Sequence, residues 1–161
     1  MRIELTRRAD GATTLRCVRA DGSVTWQVQR DPRHAVFFAH HDLTHYVVET
    51  ELGVADGFFG LVAGGWELED TSGKGARGPL PPGAVVVEHL VGALDREQSS
   101  PGPWPAAEFN AILAGAAARA RAAPRTVSDV QLARMRARLA ELLGRWGALA
   151  PGEPLVLDFP P

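Results

Sequence analysis

Between His40 and Glu49 the chain places three of its five histidines beside an aspartate and a glutamate, in a stretch otherwise rich in apolar residues. A fold must either turn these groups to water or give them partners, because an unpaired polar group in an apolar setting is costly. At about 100° per residue, a helix puts His41, His45 and Glu49 at roughly 0°, 40° and 80°, with Asp42 near 100°. Leu52 and Val48 border this arc on one side, and Tyr46 and Phe38 on the other. Leu43 and Val47 point to a second apolar contact, and His40, Thr44 and Glu51 are expected on the wet side. The spacing therefore turns a His/Asp/Glu arc inward.

Two readings satisfy such an arc. In one, His41, His45 and Glu49 bind a divalent metal, zinc first and iron, manganese or nickel as alternatives, since two imidazoles a turn apart plus a carboxylate suit these ions. Asp42 then orients a ligand or acts as general base on metal-bound water. In the other, the same groups form a buried hydrogen-bond network without an ion. Metal-free acid–base chemistry is a variant of the second. For Asp42 alone, a place in the first helical turn, favoured by the helix dipole, is an equally good explanation. His89, further along, is the candidate for a fourth ligand, with Asp70 as an alternative.

The order of residues bears on reaction type. In zinc proteases the motif is His-Glu-x-x-His, whose Glu is the general base. Asp42 is one methylene shorter, which argues against peptidase chemistry. His41-Asp42-x-x-His45 resembles the His-Asp-x-x-His motif of the coenzyme Q biosynthesis scaffold family, and that resemblance implies zinc binding. The match covers five residues, and Gly57 stands where that family carries its downstream Glu. Residues 37–80, with Phe-Phe, His-Asp-Leu-Thr-His-Tyr, Gly-Phe-Phe-Gly-Leu and Gly-Lys-Gly elements, also resemble a small bacterial family without an established activity.

The chain of 161 residues is long enough for one domain with a real core. A net charge of −2 gives no electrostatic reason to expect nucleic acid. One cysteine, Cys17, forbids an internal disulfide and suits a reducing cytoplasm; it reads as a small core residue rather than a nucleophile. Neither a signal peptide nor a transmembrane run is evident.

The expected fold class is α+β. Residues 2–30 alternate in period two around Asp10-Gly11 and Asp21-Gly22, which predicts a three-stranded antiparallel meander. Leu15, Cys17, Trp26 and Val28 are its candidate buried face. Asp31-Pro32-Arg33-His34 reads as a break, with His34 a loop residue, before a helix from about His40 to Leu52 that ends at Gly53. A short apolar helix at Phe58–Ala63 and a helix from Ala84 to Arg96 complete a helical core over 35–96. Gly73 to Gly78 is a basic loop whose Lys74 and Arg77 are candidates to meet an anionic substrate. A helical hairpin follows over 105–148, its second helix opened by a Ser128/Gln131 capping box. It packs on the core or on a second subunit as a homodimer. Residues 154–159 alternate like a strand that joins the sheet. About five helices are expected in all.

These features define three functions to separate. The first is a small metal-dependent hydrolase or lyase working through metal-bound water. The second is a non-catalytic interaction protein with a buried polar network, and the third is a metal-free binding module.

Overall fold

The computed structural model describes residues 1–75 and 77–160. Ala76, within the basic loop singled out above, lies outside them. Three strands, β1 (Arg2–Arg7), β2 (Thr13–Val18) and β3 (Val24–Gln29), open the chain. Gly11 and Gly22 take the left-handed conformation that each tight turn needs, with φ of 82° and 83°. Helices α1 (Pro32–Leu52), α2 (Phe58–Ala63), α3 (Pro82–Glu97), α4 (Ala106–Ala120) and α5 (Asp129–Ala148) follow, and β4 (Pro154–Asp158) returns to the sheet. Between α2 and α3 the chain is irregular, with a short 3₁₀ turn at Asp70–Ser72.

The sheet is antiparallel, in the order β3-β2-β1-β4. Ile3 pairs with Cys17 and Leu157, and Leu5 with Leu15 and Leu155, so one face is a continuous apolar layer. On β3 the expected phase is wrong by one residue. Cys17 pairs with Thr25, so Thr25 and Gln27 face inward, Trp26 is 62% exposed and Val28 is half-buried. The turn at Gly22 fixes the register, and a slip of one residue exchanges the two faces. Cys17 is buried, and burial, with Asp42 adding, pushes its thiol up to about 12. That fits a core residue and not a nucleophile.

Helix α1 begins well before His40. Asp31 caps it by accepting from Arg33 N at 3.0 Å, and Pro32 occupies the first turn, where its missing N–H costs nothing. The segment read as a break is therefore a helix start. The helix ends at Gly53 in the left-handed conformation, as expected. Asp42 accordingly lies mid-helix, and the dipole explanation for it falls away. α1 packs against the inner sheet face, α2, α3 and α5. A helix covered on several sides has little wet face: Thr44, expected in solvent, is fully buried.

The last two helices do not pair chiefly with each other. α4 packs on α3, and α5 lies along α1. The capping box at Ser128 and Gln131 is present, and Leu132, Met135, Leu139, Leu142 and Trp146 are buried. Arg136 clamps Glu97 through Nε at 2.9 Å and Nη2 at 2.6 Å. Side chains from the sheet and from all five helices share one hydrophobic cluster. Among the described residues, no helix is long and apolar enough to cross a membrane.

Candidate metal centre

Successive turns of α1 bring His41 and His45 side by side, their ring centres 4.8 Å apart. α3 lies against this face and supplies Glu88. His45 Nε2 is 3.2 Å from Glu88 Oε1, and His41 Nε2 is 3.9 Å from Glu88 Oε2. One ligand atom from each of His41, His45 and Glu88 falls within 4.8 Å of the other two, so the group can hold a metal ion. A tetrahedral shell with bonds of about 2.1 Å sets ligand atoms about 3.4 Å apart. His41 and Glu88, the partly exposed members, would have to move to reach that spacing.

Both imidazoles are held from behind. His41 Nδ1 lies 2.7 Å from Asp95 Oδ2, and Thr44 Oγ1 donates to Asp95 Oδ1 at 2.8 Å. His45 Nδ1 lies 3.1 Å from Glu49 Oε1. With Nδ1–H donated to a carboxylate, each ring turns Nε2 towards the shared point, where its lone pair would serve a cation once any proton there is displaced, the arrangement that fixes tautomer and raises basicity in metal sites.

Glu49 is thus placed behind His45 and not at the shared point. It is buried, and it also accepts from Phe59 N at 3.2 Å and Gly60 N at 2.9 Å. Those N–H groups belong to the first turn of α2, whose Gly57 cap has no side chain. The carboxylate does the capping instead. A Cβ on Gly57 would come 2.4 Å from Glu49 Cδ, so glycine leaves the space that Glu49 fills. His89 is one step round α3 from Glu88, with Nδ1 bonded to its own Val85 O at 2.8 Å, and is not part of the group. Nor is Asp70, which pairs with Arg77 at 3.5 Å.

Asp42 is buried, yet no described hydrogen bond reaches its carboxylate, and no fully buried side-chain polar atom lacks a partner among the described residues. Its oxygens therefore meet the adjoining cleft, about 350 Å³ in volume, which His41, His45 and Glu88 also line. Burial pushes Asp42 up to about 7 against the opposing pull of His45 and His41. For His45, burial works to lower the value, but Glu49 and Glu88 outweigh it and raise the imidazole to about 10. Glu88 is raised by burial yet ends below its usual range, because His45 and His41 face it. Without an ion, then, His45 is an imidazolium between two carboxylates.

Lys74 is exposed. Arg77 donates to Gly65 O at 2.7 Å and lies over the Trp66 ring. Neither is among the described residues that line the cleft. The sequence reading missed Glu88 and Asp95. Their signal is spacing: Glu88 and Asp95 are seven apart, two turns along one stripe of α3, beside the apolar stripe of Val87, Leu90, Val91 and Leu94. Comparisons of this chain with models of protein families, with curated proteins and with solved structures find no match.

Proposed function

We propose that the protein binds a divalent cation, zinc in the first instance, through His41, His45 and Glu88, and that it is a small hydrolase or lyase acting through water on that ion. The observation that carries this reading is the paired backing of the two histidines. Asp95 and Glu49 each engage an Nδ1 while both Nε2 atoms face one carboxylate at the wall of a cleft. A purely structural network has no need to aim two imidazoles at one point. Three protein ligands leave a tetrahedral ion one open position, where water loses a proton near neutral pH.

Asp42, in the same cleft and poised near neutrality, is the base in this scheme. A bound ion would supply Lewis acidity that lowers the pKa of water and polarises a carbonyl. In the hydrolytic form Asp42 would take the proton lost when a water O–H bond breaks as that water adds to the carbonyl carbon, and would return it to the leaving group when the bond to that group breaks.

One observation favours the non-catalytic alternative: without an ion, the His45 imidazolium is already satisfied by Glu49 and Glu88. Elemental analysis of protein purified without added metal tests whether an ion is held at all. The metal reading expects about one equivalent of a transition metal, lost in His45→Ala with the far-ultraviolet circular dichroism unchanged. It also expects Asp42→Asn to keep the metal. A metal-free wild-type protein that gains no Zn²⁺ on titration refutes it.

A further inference from the structure

The cleft beside the three ligands has a definite character. Its apolar walls are Phe38, Phe58, Leu68 and Leu80, and its neutral polar groups are Gln27, Thr71 and Ser72. Among the described residues that line it there is no lysine or arginine. A smaller recess of about 130 Å³ shares Gln27, Phe38 and Asp42 with it and runs on to Leu15, Val28, Thr13 and Gln29, a side arm of mixed character without a lysine or arginine.

Charge points the same way. Four carboxylates, Glu88, Asp42, Glu49 and Asp95, surround the position of one dication. With neutral imidazoles, two positive charges leave the site net negative even when Asp42 carries a proton. An anionic group entering it loses hydration and meets no cationic side chain, which is unfavourable on both counts. An uncharged group with an apolar flank gains from burial against the aromatic and leucine walls. The volume is at the small end of ligand pockets, which run from about 300 to 1,000 Å³.

Resting on the metal reading above, we propose that the cleft takes an uncharged carbonyl compound, an ester or amide with a short hydrocarbon or aromatic group, and excludes carboxylate and phosphate substrates. Gln27 is the specificity-determining residue in this assignment. It comes from the inward face of β3, lies at the junction of cleft and recess, and offers both a donor and an acceptor to a neutral polar group. The anionic substrate expected from Lys74 and Arg77 has no counterpart among the described walls.

The test uses the full chain loaded with Co²⁺, whose visible spectrum reports the ligand shell. 4-Carbamoylbenzohydroxamate and 4-carboxybenzohydroxamate are titrated into it. Both present the same hydroxamate to the ion and are close in size, and they differ in the charge of the ring substituent. The expected result is at least tenfold tighter binding of the carbamoyl probe, with Gln27→Lys reducing that preference to threefold or less. Equal binding, or tighter binding of the carboxylated probe, overturns the proposal. So does a failure of both probes to shift the spectrum of protein that holds cobalt. If no cobalt spectrum develops before any probe is added, the metal reading itself has failed, and this inference goes with it.

Discussion

Replacing Glu49 by glutamine tests the hinge on which the site turns. The carboxylate accepts three N–H groups, from His45, Phe59 and Gly60, at 3.1, 3.2 and 2.9 Å. The amide keeps the size of the side chain but has only one oxygen. If that oxygen stays with His45 and Phe59, the amide nitrogen confronts Gly60 N–H, donor against donor. An orphaned buried donor costs about 1–3 kcal/mol, and each remaining bond, no longer charge-assisted, weakens by about 1 kcal/mol. The total is about 3–5 kcal/mol, a large part of a typical stability of about 5–15 kcal/mol. With a urea slope of about 2 kcal/mol/M, the unfolding midpoint should fall by about 2 M. Because Glu49 also orients His45, Zn²⁺ affinity should drop about 10- to 100-fold. Urea denaturation of metal-free protein and competition against a chromophoric chelator measure the two effects. A Glu49→Gln protein with the wild-type midpoint and wild-type affinity would refute both the capping role and the orienting role.

Four further outcomes follow. Gly57→Ala places a methyl 2.4 Å from Glu49 Cδ, so it should displace that side chain, cost about 1–3 kcal/mol and weaken Zn²⁺ binding in parallel; thermal melts with and without zinc check this. At pH 7.5, below the raised value of about 10 for His45, a bound cation must displace a proton from Nε2, so calorimetry in two buffers of different ionisation enthalpy should show at least about one proton released and an affinity that rises with pH. In the metal-free protein that same raised value stabilises the fold fully below the unfolded value of about 6.5, and the gain is lost as pH climbs towards 10; urea midpoints should decline across that window, and less steeply in His45→Gln, where the raised thiol of Cys17 still contributes on the alkaline side. Glu97 runs the other way. Burial raises its carboxyl, but Arg136 and Trp104 N–H outweigh this and hold it below its usual value, so its contribution is present above about pH 4.3 and fades on acidification below that; Glu97→Gln should flatten this acid limb of the stability curve.

Much of the architecture was legible because local chemistry and tertiary structure agree. The two Asp-Gly turns, the alternating C-terminal strand, Gly53 and the Ser128/Gln131 box each act through neighbours in sequence, and each is where periodicity puts it. Failures came where distant contacts decide. The phase of β3 depends on pairing with β2, not on the apolar rank of Trp26. The start of α1 was hidden because Asp31-Pro32 serves a break and a helix cap equally well. At the site, the inward arc of α1 was readable, since His41, His45, Asp42 and Glu49 do share one side. Which of them reach a common point was not. Glu49 is drawn away by the open N–H groups of α2, and its place is taken by Glu88 from α3. No pattern within α1 alone contains either fact. His89 was attractive as a residue type, but on a helix one position is a rotation of about 100°, and the neighbouring carboxylate has the better bearing.

The sheet order has a consequence for how this chain reaches its native state. β1 is an inner strand, yet one of its partners, β4, is nearly the whole sequence away, with Ile3 opposite Leu157. Closing so long a loop is entropically costly, so this pairing belongs to the last steps of folding. Until it forms, the meander presents β1 as a bare edge with an apolar side, ready to recruit a strand from another molecule. During synthesis that interval lasts until β4 has been made, and the β1 edge is open to pairing with another chain over that time.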